Sequence, residues 1–117
     1  MADGAALIWC PFASRADAEA AAGALLDAGL IACANILPGM ISLYTWQGER
    51  GAGEEVAMLG KTTAAALEAA VAKLAEIHPY DCPAIVGWRA DAAAPATLAW
   101  LVAETGKNAQ NTAQEQG

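Results

Sequence analysis

Three side chains of this sequence combine donor types that suit a soft or borderline metal ion: Cys10, His78 and Cys82, with Asp81 beside the last. Two thiols and an imidazole match Cu(I) or Zn(II), which favour sulfur and nitrogen over oxygen. None is arranged as CxxC or HxH, so the set depends on the fold to bring it together. Each residue also has a plainer use. A small cysteine is often a buried hydrophobe, and a histidine before a proline can satisfy the last carbonyls of a helix. Cys33 reads as core by the same reasoning. Other chemistry is less well supplied. There is one histidine, the only serines are Ser14 and Ser42, and no Gly-x-Ser-x-Gly elbow occurs. No carboxylate pair has a spacing suited to acid and base catalysis. A dyad of Cys10 or Cys82 with His78 would have only Asp81 to orient it. The glycine-rich stretch 48–53 lacks the Gly-Lys-Ser/Thr ending that cradles phosphate. A non-enzymatic protein is expected.

The elements that must position these residues are arranged around the apolar ribbon from Leu30 to Gly48, interrupted by Pro38-Gly39. At period two, Ile41, Leu43 and Thr45 face one way and Ser42, Tyr44 and Trp46 the other. Both faces need cover. Ala5–Cys10 reads as a first strand ended by Pro11. Ser14 caps a helix to about Ala28, with Ala18, Ala21, Ala22, Leu25 and Leu26 inward and Gly29 terminating it. After the ribbon, stretch 48–53 reads as a hairpin tip and Glu54–Lys61 as the returning strand. Thr62 or Thr63 caps a second helix with Leu67, Ala70, Val71, Leu74 and Ile77 on one stripe, ended at His78 by Pro79. Pro83–Arg89 is a fourth strand. A short helix, about Ala96–Glu104, places Leu98, Leu101 and Val102 inward and Trp100 elsewhere. Residues 1–105 thus form one α+β domain, a ferredoxin-like βαββαβ sandwich with an extra C-terminal helix. Residues 106–117 read as a disordered tail. Strands one and four are neighbours in such a sheet, which puts Cys10 near His78, Asp81 and Cys82.

The chain has 117 residues, 56% apolar and 16% charged, so it can build one core. Much of the apolar content is alanine, which favours burial shared between copies. The net charge of −7 argues against nucleic acid, whose binders present a basic face. No run approaches the ~20 apolar residues of a membrane span, and no basic n-region precedes the first apolar run. Three cysteines without an export signal fit reduced thiols in the cytoplasm. The aromatics Tyr44, Trp46 and Trp100 suit anchors of an interface between copies.

Cys33-Ala34-Asn35-Ile36-Leu37-Pro38-Gly39, Ser42-Leu43-Tyr44-Thr45-Trp46-Gln47-Gly48, Lys61-Thr62-Thr63 and His78-Pro79-Tyr80-Asp81-Cys82-Pro83 follow one another in order. Together they resemble the CutA divalent-cation tolerance proteins, over about Leu7 to Glu104. The resemblance implies a ferredoxin-like subunit in a tight homotrimer, similar in architecture to PII signalling proteins. It also implies a role in tolerance of copper and other divalent metals rather than catalysis. The family's histidine before Pro-Tyr matches His78, and a cysteine near the end of strand one lies slightly earlier than Cys10. Ile77 stands where some members carry a second histidine, so the resemblance implies weak copper binding. Cys82 replaces a more usual valine or threonine, Phe12 an acidic residue, and Thr97 an aromatic. Two alternatives remain open: a PII-like sensor binding a small molecule in clefts between subunits, and a trimer whose task is to hold a partner protein.

Overall fold

The computed structural model describes residues 4–106; the expected tail, Gly106 itself apart, lies outside them. The elements are β1 (Ala5–Phe12), α1 (Arg15–Asp27), β2 (Cys33–Trp46), β3 (Glu49–Thr63), α2 (Ala64–Ile77), β4 (Val86–Arg89) and α3 (Pro95–Thr105). The strands form one antiparallel sheet in the order β2-β3-β1-β4. This is the ferredoxin-like α+β arrangement expected, with the third helix added.

Local chemistry accounts for most boundaries. The Ser14 hydroxyl accepts the Asp17 amide at 3.1 Å and starts α1. Gly29, at φ 70°, ends it. The Gly29 and Leu30 amides return to the carbonyls of Leu26 and Leu25, both at 3.0 Å, the reciprocal pair of a Schellman end. Thr63 caps α2 by accepting the Ala66 amide at 3.2 Å. The β2 register shifts between Leu37 and Met40, so Pro38-Gly39 is the expected bulge.

Three expectations need correction. β1 does not stop before Pro11 but runs on to Phe12. β4 pairs only with Ala6 to Trp9, so Pro11 has a free edge on that side, where its missing N–H costs no ladder bond. β4 for the same reason begins at Val86 rather than Pro83. The hairpin tip is Gln47-Gly48, not stretch 48–53. Both residues have positive φ, 52° and 81°, as a two-residue primed turn requires. Gly51 instead belongs to β3, where it faces Tyr44. A Cβ there would collide with the Tyr44 ring, so that glycine serves close packing rather than turning.

The core lies between the helices and one sheet face. In β1 the alternate residues Ala6, Ile8, Cys10 and Phe12 are buried, joined by Leu25, Ile31, Met58 and Leu74. The helical stripes are narrower than expected: Leu26 and Val102 are exposed, and Leu101 alone is buried on α3. The opposite sheet face displays Trp9, Val86 and Trp88 to solvent. Beyond the bulge, β2 and β3 continue as a two-stranded arm about 23 Å long at ~3.3 Å per residue. Ile41 and Leu43 on it are 70% and 71% exposed.

Because Ile8 is fully buried at the centre of β1, Ile8→Ala is expected to destabilise the fold by about 2–5 kcal/mol. Urea unfolding at fixed protein concentration measures this; a loss well below 1 kcal/mol would move the core away from β1.

Candidate functional site

The candidate site is built where β1 ends, α2 ends and the arm begins. Pro79 forces His78 out of the helix, to φ −68° and ψ 137°. The turn carries the imidazole back across the end of β1. There its Nδ1 accepts the Tyr80 backbone N–H at 3.1 Å. The ring proton therefore resides on Nε2, which donates to the Pro11 carbonyl at 2.9 Å. The ring also stacks on Phe12, with centroids 4.3 Å apart and planes inclined by 17°. His78 is 7% exposed and both its nitrogens are in use. Its ring satisfies a strand carbonyl that Pro11 leaves at the free edge, while its backbone N–H, rather than the ring, reaches the Leu74 carbonyl of its own helix at 2.9 Å. The sequence could not show this, because the contact spans 67 positions.

Tyr80 continues the link. Its hydroxyl donates to the Glu55 carboxylate at 2.8 Å, and its ring is tilted against His78. Burial first, and then the bond to Glu55 and its charge, push the phenol up to about 12. Glu55 lies at the base of the arm, so the 78–84 loop is tied both to β1 and to β3. No pattern in the sequence pointed to Glu55.

Cys10 is completely buried, with Sγ 3.7 Å from the Pro11 carbonyl. Burial, with a smaller contribution from the Glu55 charge, pushes its thiol up to about 12. It is a protonated core group rather than a thiolate ligand. Cys82 is exposed on the loop, and Cys33 is only half-buried, not full core. The topology therefore brings Cys10, His78 and the loop to one corner, as expected, but does not present Cys10, His78 and Cys82 as a ligand set. Among the described residues no group of three His, Cys, Asp or Glu side chains is arranged to hold a metal ion. The physical reason is that folding has already spent the His78 nitrogens on hydrogen bonds and the Cys10 sulfur on the core.

A groove of about 840 Å³ runs between the arm and the loop. Tyr44 and Trp46, each 51% exposed, form one wall, and Glu54, Glu55, Asp81 and Cys82 also line it. No lysine or arginine does so. Two of the expected interface aromatics thus flank the acidic groove, while Trp100 is exposed on α3. No helix is long and apolar enough to cross a membrane among the described residues.

Residues 6–104 match the family described as CutA1 divalent ion tolerance protein. The chain is 38% identical over 89 residues to the divalent-cation tolerance protein CutA of Thermus thermophilus, covering 76% of this chain and 86% of that one. It is 35% identical over 97 residues to the protein of that name from Pectobacterium atrosepticum, covering 83% and 88%. The crystal structure of divalent ion tolerance protein CutA1 from Ehrlichia chaffeensis superposes with a TM-score of 0.82. Its sequence identity is 33%, and 87% of this chain and 95% of that chain are covered.

Two outcomes follow from this geometry. His78→Ala removes two hydrogen bonds worth about 0.5–1.5 kcal/mol each and a ring stack worth about 0.5–1.5 kcal/mol. A loss of about 2–4 kcal/mol in urea unfolding is expected, and an unchanged midpoint would contradict the anchoring role. For Cys10, the folded pKa near 12 lies above the ordinary 9.0. The unfolded chain sheds that proton from about pH 9 while the folded chain keeps it, so stability is full below pH 9 and falls as pH rises toward 12. Cys10→Ala should flatten that part of the stability–pH curve, and an identical slope would contradict it.

Proposed function

The chain belongs to the CutA1 divalent ion tolerance protein family, and from that premise we propose that it serves tolerance of divalent metals, copper first, as a non-enzymatic homotrimer in the cytoplasm. The observation that carries the assembled form is the uncovered apolar surface: Trp9, Trp88, Tyr44 and Trp46 on a single small chain, with Ile41 and Leu43 on the arm. Surface of that extent is the signature of an interface. Two further copies supply the cover, and Tyr44, Trp46 and Trp100 are the aromatic anchors between them. Three free cysteines suit a reducing compartment.

Metal binding by this chain is weak. Of the three expected ligands, Cys82 alone offers its donor atom to solvent. Recruiting His78 requires breaking its bonds to Tyr80 or Pro11, and recruiting Cys10 requires opening the core and removing a proton held to about pH 12. The sensor alternative has less support for phosphorylated or carboxylate ligands, because the groove carries Glu54, Glu55 and Asp81 and no cation.

Calorimetric titration with Cu(I) under reducing conditions tests the metal reading. Binding weaker than micromolar is expected, abolished by Cys82→Ser and little changed by Cys10→Ser. Tight binding at one site per chain, lost in His78→Ala and Cys10→Ser, would overturn the weak-site reading and restore the corner as a metal centre. No copper uptake together with a metabolite bound in the clefts would favour a sensor. For the assembly, Trp46→Ala is expected to cost about 3–5 kcal/mol per chain if the copies bury the ring fully. A variant of unchanged mass and melting temperature would remove Trp46 from the interface.

A further inference from the structure

β4 pairs with β1 only from Ala6 to Trp9, so the edge of β1 beyond that point has no strand beside it. Cys10 and Phe12, both fully buried, lie on this unpaired part of the strand. Segment 78–84 closes the gap without joining the sheet, since it has neither helical nor strand structure.

Its attachment is slight. Among the described residues, two hydrogen bonds fasten the segment to the sheet: His78 Nε2 to the Pro11 carbonyl at 2.9 Å and the Tyr80 hydroxyl to Glu55 at 2.8 Å. The Tyr80 backbone N–H, donating to His78 Nδ1 at 3.1 Å, couples one anchor to the other. The Glu55 charge acts on both the Tyr80 phenol and the Cys10 thiol, so the Tyr80–Glu55 clasp lies close to the buried sulfur. Beyond Tyr80 the segment is loosely seated, with Asp81, Cys82 and Ala84 all exposed. Tyr80 and Glu55 are half-buried, whereas His78 is 7% exposed, which makes the clasp rather than the imidazole the point of release. Freeing the segment breaks a few side-chain contacts at the sheet edge. Breaching the core would separate Ile8, Leu25, Met58 and Leu74 as well. Local opening is drawn from such weakly fastened segments.

We infer that segment 78–84 is a strap that opens as a unit when the Tyr80–Glu55 clasp releases, lifting His78 from Pro11 and Phe12 and uncovering Cys10 while the sheet and helices stay folded. Closed, the corner withholds its donors, with both His78 nitrogens in use and the Cys10 sulfur sealed. Open, it offers an imidazole and a thiol together. Tyr80 is then a positioning residue that sets how often the pair is exposed. A strap of this kind requires neither a bound metal nor a second copy of the chain.

Iodoacetamide labelling of the full chain at one fixed pH, resolved by site with mass spectrometry over a series of low urea concentrations, is the experiment. The thiolate displaces iodide from the reagent and its proton passes to solvent, so the rate at each cysteine reads its access. In the wild type, exposed Cys82 is expected to label first and Cys10 much more slowly. The Cys10 rate should change little with urea, because local opening exposes little surface. Tyr80→Phe keeps the ring and removes the hydroxyl; it is expected to speed Cys10 labelling about tenfold or more and leave Cys82 unchanged. Glu55→Gln, which can still accept the bond, should speed it by less. Ile8→Val lowers global stability without touching the strap and should leave the Cys10 rate as it is. A Cys10 rate that climbs with urea as steeply as global unfolding followed by circular dichroism would overturn the strap. So would a rate that Tyr80→Phe leaves unchanged, or that Ile8→Val raises in proportion to the stability lost. Cys10 labelling as fast as Cys82 in the wild type would overturn it too, since the corner would not be sealed.

Discussion

One sheet of four strands packs α1 and α2 on one face and leaves Trp9, Val86 and Trp88 of the other exposed, and the other features follow from that constraint. The two helices against the sheet span 13 and 14 residues and are built largely from alanine. Close-packed small side chains let them approach the sheet, and the buried volume then comes from the strands: Ile8, Cys10, Phe12, Ile31 and Met58. The burial alternation in β1 commits its other residues, Leu7, Trp9 and Pro11, to the far face. Trp9, Val86 and Trp88 on that face stay exposed even though α3 packs against β3 at Thr63, and the arm extends it. A single copy leaves this apolar surface exposed, and the proposed assembly is what would cover it.

The corner at the end of β1 has been solved in a different way. A proline at a free strand edge leaves its carbonyl unsatisfied unless another group reaches it, and an orphaned buried carbonyl costs about 1–3 kcal/mol. His78 supplies the missing donor, Tyr80 fixes the ring's tautomer, and Glu55 holds Tyr80. Three elements distant in sequence are bound by one short relay. The same relay withdraws the imidazole from metal chemistry, so structural anchoring and tight metal binding compete for the same two nitrogens.

Much of the fold was legible in the sequence wherever one residue acts on its immediate neighbours. Ser14, Gly29, Thr63 and Pro79 mark helix ends through local hydrogen bonds and backbone restriction, and the structure places each end where those residues put it. The order of elements then limited the topology to a ferredoxin-like sheet. Legibility failed where a residue answers to a distant partner. Gly51 looked like turn material and is a seat for Tyr44. Pro11 looked like a stop and is tolerated because β4 is short. His78 and Cys82 are close in sequence, yet one is locked inward and the other faces the groove, a difference that neither residue type nor spacing contains. Glu55 left no signal at all, since a carboxylate on an alternating strand reads as solvent-facing until Tyr80 is brought beside it.

The central claim is that copies of this chain complete its sheet and arm. Amide hydrogen exchange along 40–55 tests that most directly, because an isolated two-stranded ribbon is marginal in water and opens readily. The account predicts that amides of the arm exchange as slowly as those of β1 at concentrations where the chain is assembled, and faster on dilution. Exchange of the arm amides within seconds at every concentration, with β1 still protected, would contradict it.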